Sequence, residues 1–376
     1  MSDSMDSKPS HHNGNSTKAG EHSLAEIMSQ GSCWKTCLAE LTRSQTVQEV
    51  VARSSHAAEW LFIGCGSSYY VAMAAAATIK TLTGKPARAI PASEILLYPE
   101  LVFSSGPCAP VLISRSGQTS EVLKAAEVLR ERKIPSVAVS CVKGQALEKL
   151  ASVTITLPAD EQSTVMTRSF TSMLLALQFL AGHMAGNSVF CDALIAMPEM
   201  AAPTLNAVPD QIREFVARHS FADYVCLGHG PFYGLACEYA LKITEMSVSY
   251  AQFFHAMEFR HGPKSIVRPE TLLIFLLSEQ GYQAECDLLE EVKSLGGTTL
   301  VVANQADSRV RGAADLLVEL PLKLPELARL APSLVPGQLL GLYTGLKNGL
   351  NPDSPRNLSR AVILDGDRSR KPDLVV

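Results

Sequence analysis

The sequence has no CxxC pair, no cysteine–histidine spacing of the metal-binding kind and no marked excess of either charge. Its nine cysteines are odd in number and scattered, most of them inside apolar runs. That excludes a disulfide framework and predicts buried reduced thiols in a cytosolic protein. Lysine and arginine number 33 against 37 aspartates and glutamates, a formal net charge of −4. Nothing therefore pulls the chain toward nucleic acid or anionic lipid, and neither is expected as a partner. Long hydrophobic runs are also missing. The longest, residues 172–185, is shorter than the about 20 residues needed to span a bilayer and contains Gln178 and His183. No apolar signal core opens the chain, and a soluble cytoplasmic protein is expected.

What is present is core-forming material. Hydrophobic residues make up 47% of the 376 and charged residues only 19%, which rules out wholesale disorder. The length suggests two domains at about 150 residues each. Residues 1–22 are the exception. They are rich in Ser, His, Gly, Asn and Lys with almost no large apolar side chain, and are expected to form a disordered tail.

From about residue 59, strand-length apolar runs (60–63, 110–113, 136–140, 153–157) alternate with helical patterns (69–82, 120–132, 171–183). Fully apolar strands separated by helices predict parallel sheets covered on both faces, a doubly wound α/β architecture. The chain also repeats itself at a shift of 164 residues. Gly64, Gly66, Tyr69, Ala72, Ala76 and Ile79 fall on Gly228, Gly230, Tyr233, Ala236, Ala240 and Ile243. The same shift carries Leu112, Ser114, Gly117, Glu121 and Val128 onto Leu276, Ser278, Gly281, Glu285 and Val292. Two similar α/β domains are expected, at 23–205 and 206–376, with a linker near Pro198–Pro209 where three prolines interrupt the periodicity.

Ligands of such sheets bind beyond the carboxyl ends of strands, where loops meet helix N-termini. Three turns there are rich in hydroxyls: 64–68, 114–120 and 164–171. Glycine lets backbone N–H groups approach an anion and the helix dipole favours it, so Ser68 and the 114–119 turn are candidate phosphate ligands. Ordinary N-capping explains one Ser or Thr per turn. It does not explain several hydroxyls in six residues. The second copy serves as a control: Glu279 and Gln280 stand where the first has Arg115 and Ser116, which predicts a half that has lost phosphate. Glu238, Lys242 and Glu245 share one helix face, either as a solvated ion-pair stripe or, with His261 of the following Arg-His-Gly-Pro loop, as proton carriers.

The segments GCGSSYYVA, SRSGQTSE, MTRSFT, ALKITEMS, EFRHGP and PDSPRNLS resemble the sugar isomerase (SIS) domain pair. That pair forms the isomerase half of glutamine–fructose-6-phosphate aminotransferase and the free-standing amino-sugar-phosphate deaminases and ketose/aldose isomerases. The resemblance implies two flavodoxin-like αβα sandwiches and no metal or organic cofactor. By it, a sugar phosphate would lie against Ser68, Ser114, Arg115, Ser116 and Thr119, with Thr164 and Ser359 touching the sugar. Glu245 would be the enolisation base, with Lys242 beside it. His261 would open the ring, lent across a homodimer to the neighbouring subunit's site. Arg360 stands where the family has a Schiff-base lysine, and a guanidinium forms no imine. It could still clamp an oxyanion, and Lys242 or Lys264 could serve as the amine. The synthase's glutaminase begins with a cysteine after Met1, whereas residue 2 here is Ser, so glutamine-driven amination is not expected. The implied activity is a hexose or hexosamine 6-phosphate isomerase or deaminase. A phosphosugar sensor without turnover and a deglycase of a phosphorylated sugar–amine adduct stand as alternatives.

Overall fold

The computed structural model describes residues 18–103 and 106–364. Three helices, α1 (Glu21–Met28), α2 (Gln30–Arg43) and α3 (Thr46–Arg53), lead into the first sheet. That unit runs β1 (Glu59–Gly64), α4 (Ser67–Thr83), β2 (Ala87–Pro91), α5 (Ala92–Leu97), α6 (Pro99–Val102), β3 (Cys108–Ile113), α7 (Ser120–Glu131), β4 (Val137–Ser140), α8 (Ala146–Leu150) and β5 (Val153–Thr156). Helices α9 (Arg168–Met184), α10 (Ser188–Leu205) and α11 (Val208–Arg218) follow. The second unit runs β6 (Asp223–Gly228), α12 (Pro231–Ser247), β7 (Tyr250–His255), β8 (Thr271–Leu276), α13 (Tyr282–Ser294), β9 (Thr298–Ala303), α14 (Ser308–Ala313) and β10 (Leu316–Glu319), and ends on α15 (Leu330–Lys347).

Both sheets are parallel and five-stranded, in the orders β2-β1-β3-β4-β5 and β7-β6-β8-β9-β10. They are two flavodoxin-like sandwiches of the same topology. The internal repeat is visible in the backbone itself. Gly66 has φ 54° and ψ −128°, and Gly230 has φ 51° and ψ −127°, a conformation closed to residues with a β-carbon. Each sits just before a helix of 17 residues. The expected apolar strands are all present: β8 is buried along its whole length, and β1 from Trp60 onward.

The two sheets share one layer. A single hydrophobic core contains residues of α4, α9, α12 and α15 together with strands of both sheets, while each outer face has a separate smaller core. Close approach in the shared layer depends on glycine. Gly337, Gly341 and Gly345, four residues apart on α15, face α12, and a β-carbon on Gly341 would lie 2.7 Å from the Lys242 carbonyl oxygen. Gly234 of α12 in turn meets the α4 backbone, its added β-carbon lying 2.8 Å from the Tyr70 carbonyl oxygen.

Three expectations need correction. Glu21 and His22, read as tail, belong to α1, and residues 1–17 of that tail lie outside the described residues. The cause is remote in sequence. Asn351 accepts the Gly20 amide at 3.0 Å, and the two oxygens of Asp353 accept the amides of Ser23 (2.7 Å) and His22 (3.2 Å), satisfying the helix start from the far end of the chain. Second, Pro198 and Pro203 lie inside α10 instead of marking a linker. Buried Phe190, Leu194, Met197 and Ala201 form one stripe whose packing outweighs the lost donors. Third, residues 353–364 pack against the first half, so the second unit is not a contiguous block to the end of the chain. Seven of the nine cysteines are buried, Cys65 and Cys108 are half-buried, and all are free. No helix among the described residues is long and apolar enough to cross a membrane.

Candidate functional site

At the point where the strand order reverses, between β1 and β3, two of the hydroxyl-rich turns come together. Ser68 is buried in the first turn of α4. In the second turn the Ser114 and Thr119 hydroxyls lie 3.2 Å apart. The Gly117 amide donates to Ser114 Oγ (3.2 Å) and the Gln118 amide to Ser116 Oγ (3.2 Å). The result is a small cup of hydroxyl oxygens at the N-terminus of α7, where the helix dipole adds partial positive charge.

The third turn is built differently. Glu161, fully buried, accepts from the Thr167 amide (2.6 Å) and hydroxyl (2.9 Å) and from the Ser169 amide (3.0 Å) and hydroxyl (2.5 Å). Glu26 of α1 accepts the Ser163 amide at 3.2 Å and bonds the Ser163 hydroxyl. These hydroxyls serve the turn itself, and nothing in the local sequence singles out Glu26 or Glu161 as its organisers.

Arg115 also departs from expectation. Its guanidinium is buried beneath the turn and donates to Glu161 (3.1 Å) and to the carbonyls of Val165 (3.1 Å), Thr164 (2.8 Å) and Arg360 (2.8 Å). Its charge is paired with Glu161 inside the protein, and its buried Nε–H has no partner. It ties the second turn, the third turn and the returning C-terminal segment together. That segment continues across the cup: the Ser120 amide donates to the Val362 carbonyl (3.1 Å), and the Leu364 amide to Ser120 Oγ (3.1 Å). Arg360 itself turns outward and pairs with Asp160, and the exposed Ser359 hydroxyl donates to the Ala361 carbonyl (2.9 Å). Neither side chain reaches the cup. Thr164 contributes backbone, its amide donating to the Asp353 carbonyl (2.9 Å). Arg115→Gln is expected to cost about 1.5–3 kcal/mol, the range for hydrogen bonds to charged groups, because Glu161 keeps its other donors. Thermal unfolding measures the loss, and hydrogen exchange should rise first in residues 358–364.

The stripe on α12 is not solvated. Glu238 and Lys242 are wholly buried and Glu245 is half-buried. Lys242 Nζ lies 3.3 Å from Glu238 Oε1 and pairs with Glu245 Oε2, while Ser67 Oγ of α4 donates to Glu238 Oε1 at 3.1 Å. A continuous polar chain thus runs Ser67–Glu238–Lys242–Glu245, from one half of the molecule into the other. Helices α4 and α12 pass in opposite senses, since Gly234 meets Ala74 whereas Glu238 meets Ser67. Glu245, two turns beyond Glu238, therefore lies on the side of the α4 N-terminus and its Ser68. Sequence reasoning placed Glu238 on this face but missed Ser67 as its partner; the signal would have been two adjacent serines after Gly66, with only one needed for the cup.

Two carboxyls and one ammonium share this dry space. Burial alone would lower the Lys242 pKa, but Glu238 and Glu245 outweigh it and hold the ammonium above its ordinary value. Burial pushes the Glu238 carboxyl up to about 8, against the pull of Lys242. The proton that balances the cluster therefore resides on Glu238 at neutral pH. The folded chain binds that proton more tightly than the unfolded chain, where a glutamate titrates near 4.3. The stabilising effect is complete below about pH 4.3 and is lost as pH rises toward about 8. Glu238→Gln cannot ionise, so its melting temperature should gain on the parent's between about pH 5 and pH 8; equal slopes would refute this placement of the proton.

His261 is exposed on the loop after β7, outside the buried chain on α12. Lys264 of the same loop pairs with Glu291, as does Arg260 (2.9 Å), so Lys264 is not presented as a free amine.

The SIS domain profile matches residues 55–182 and 224–331, one stretch in each half. The chain belongs to the SIS domain family. Among its relatives, the glutamine–fructose-6-phosphate aminotransferase of Pyrobaculum aerophilum is 30% identical over 354 residues, 91% of this chain and 57% of that protein. That of Caldanaerobacter subterraneus subsp. tengcongensis is 26% identical over 315 residues, 81% of this chain and 51% of that protein. The chain spans about half the length of these relatives. Among solved structures, the glucosamine-6-phosphate deaminase of Thermotoga maritima superposes with a TM-score of 0.75 at 28% identity, covering 91% of this SIS pair and 100% of that chain. The Escherichia coli tagatose-6-phosphate ketose/aldose isomerase shares the fold, with a TM-score of 0.80 at 22% identity over 92% and 96% of the two chains.

Proposed function

We propose that this SIS pair is an aldose–ketose isomerase or amino-sugar-phosphate deaminase acting on a hexose or hexosamine 6-phosphate. The observation that carries the reading is the buried chain from Ser67 through Glu238 and Lys242 to Glu245, because it runs from the turn that also carries Ser68 to a carboxyl able to move a proton.

In this reading the phosphate rests against Ser68, Ser114, Ser116 and Thr119, and its binding energy positions the far end of the sugar. His261, supplied by the second copy of a homodimer, assists ring opening. Glu245 takes the proton from C2 while the C1 carbonyl oxygen gains one, leaving a C1–C2 double bond; return of the proton to C1, with loss of one from the heteroatom on C2, forms the C2 double bond to that atom. With a 2-hydroxyl the product is a ketose phosphate. With a 2-amino group the product is a C2 imine, which water hydrolyses to ketone and ammonia. Lys242 holds the Glu245 carboxyl in place, and the protonated Glu238 lies against Lys242 on its far side.

The test is incubation of the protein with glucosamine 6-phosphate, galactosamine 6-phosphate and fructose 6-phosphate in deuterated water. Deuterium entry at C1 or C2 without ammonia marks the isomerase, and ammonia release marks the deaminase. Binding without exchange, unchanged in Glu245→Gln, would overturn catalysis in favour of a sensor.

A further inference from the structure

The second SIS half holds a cavity that this mechanism does not use. It measures about 520 Å3, within the roughly 300–1,000 Å3 of small-molecule sites. It opens beyond the carboxyl ends of β8 and β9, beside the β6/β8 reversal of strand order, and is the counterpart of the hydroxyl cup. Phe232 and Ser278 stand where the 164-residue repeat puts Ser68 and Ser114.

Its chemistry is not that of a phosphate site. Ser278 is already committed: its amide donates to Glu285 Oε2 (2.7 Å), its hydroxyl donates to Glu285 Oε1 (3.1 Å), and it accepts the Gly281 amide (2.9 Å). A carboxylate of the chain thus occupies the place of an anion. Glu279, Glu326 and Asp307 line the cavity against one cation, Arg329, so a phosphate ester is repelled. The groups that remain are mixed. Arg329 is 5% exposed and pairs with Glu279 through one amino group, while its buried Nε–H has no partner. Asn304 accepts the Leu322 amide at 2.9 Å with its oxygen, which leaves its NH2 as a donor, and Gln280 and Gln305 add amides. A hydroxyl both donates and accepts, and so satisfies such a set where a purely anionic ligand cannot. The surplus of carboxylates favours an ammonium.

We propose that this cavity binds a phosphate-free, hydroxyl-rich small molecule carrying an amine, of the size of a free aminohexose. The site is independent of turnover at Glu245. Calorimetric titration of the full chain with glucosamine tests it, with glucose and fructose 6-phosphate as comparators. The variants are Gln305→Trp, which fills the exposed rim, Arg329→Gln, and a combined Ser114→Ala, Ser116→Ala, Thr119→Ala chain. Glucosamine is expected to saturate one site, more tightly than glucose, without competition from fructose 6-phosphate and unaffected by the triple substitution. Gln305→Trp and Arg329→Gln should each weaken it at least about tenfold. Arg329 is buried, so near-ultraviolet dichroism checks that variant's fold, and Gln305→Trp carries the test if it is unfolded. Absence of saturable binding at millimolar glucosamine, equal affinity for glucose, loss of binding in the triple variant, or indifference to Gln305→Trp would each overturn the proposal.

Discussion

Glu245→Gln is expected to slow proton exchange at C1 and C2 of a hexose 6-phosphate by about 10²–10⁴-fold, the usual contribution of a positioned acid/base group. The amide keeps the shape of the carboxyl and still offers Lys242 an oxygen, so the pairing on α12 is preserved. The loss should therefore appear in kcat with KM little changed, as for an interaction made only in the transition state. Nuclear magnetic resonance of the sugar in deuterated water reads the exchange directly. Exchange at the parent rate would remove Glu245 from the chemistry, however well the variant binds substrate.

The second large effect is structural. Gly341→Leu is expected to destabilise the protein by about 3 kcal/mol or more, the upper range for overpacking. The β-carbon alone would stand 2.7 Å from the Lys242 carbonyl oxygen, and that neighbour is helix backbone, which cannot rotate away. Gly337 meets the Tyr239 ring and Gly345 the Met246 carbonyl oxygen on either side, so relief requires the two helices to separate. Thermal unfolding should show a fall of several degrees. Activity in the folded fraction should also drop, because the displaced segment is the one that carries Lys242. An unchanged melting temperature would mean that the shared layer yields where the packing says it cannot.

Much of this was legible in the sequence, for physical reasons that can be stated. Strands such as 110–113 and 137–140 are buried on both faces, so they read as compact core runs. The twin glycines 66 and 230 expose the duplication because no other residue tolerates their backbone angles. The edge strands β2 and β7 were not legible, because residues such as Arg88, Pro91 and Gln252 break their pattern. Helix α1 was missed because its N-terminal amides are satisfied by Asn351 and Asp353, more than three hundred residues away. At the site, the Ser114–Thr119 turn and the α12 face were found from spacing. For Arg115 and Arg360, sequence gives the charge of a guanidinium but not the carbonyls and carboxylates that it meets in the fold.

The two bends related by the internal repeat differ in how they are kept rigid. In the C-terminal copy Glu285 reaches back to the Ser278 amide and hydroxyl and also meets His229 Nδ1 at 2.8 Å, so that bend carries its own permanent counter-anion. The N-terminal bend is held instead by its own amides and hydroxyls and by Arg115 beneath it. A bound phosphate ester should accordingly slow amide exchange around Ser116 and leave Gly281 as it was, so that ligand-induced stiffening is confined to one half of a nearly symmetrical molecule.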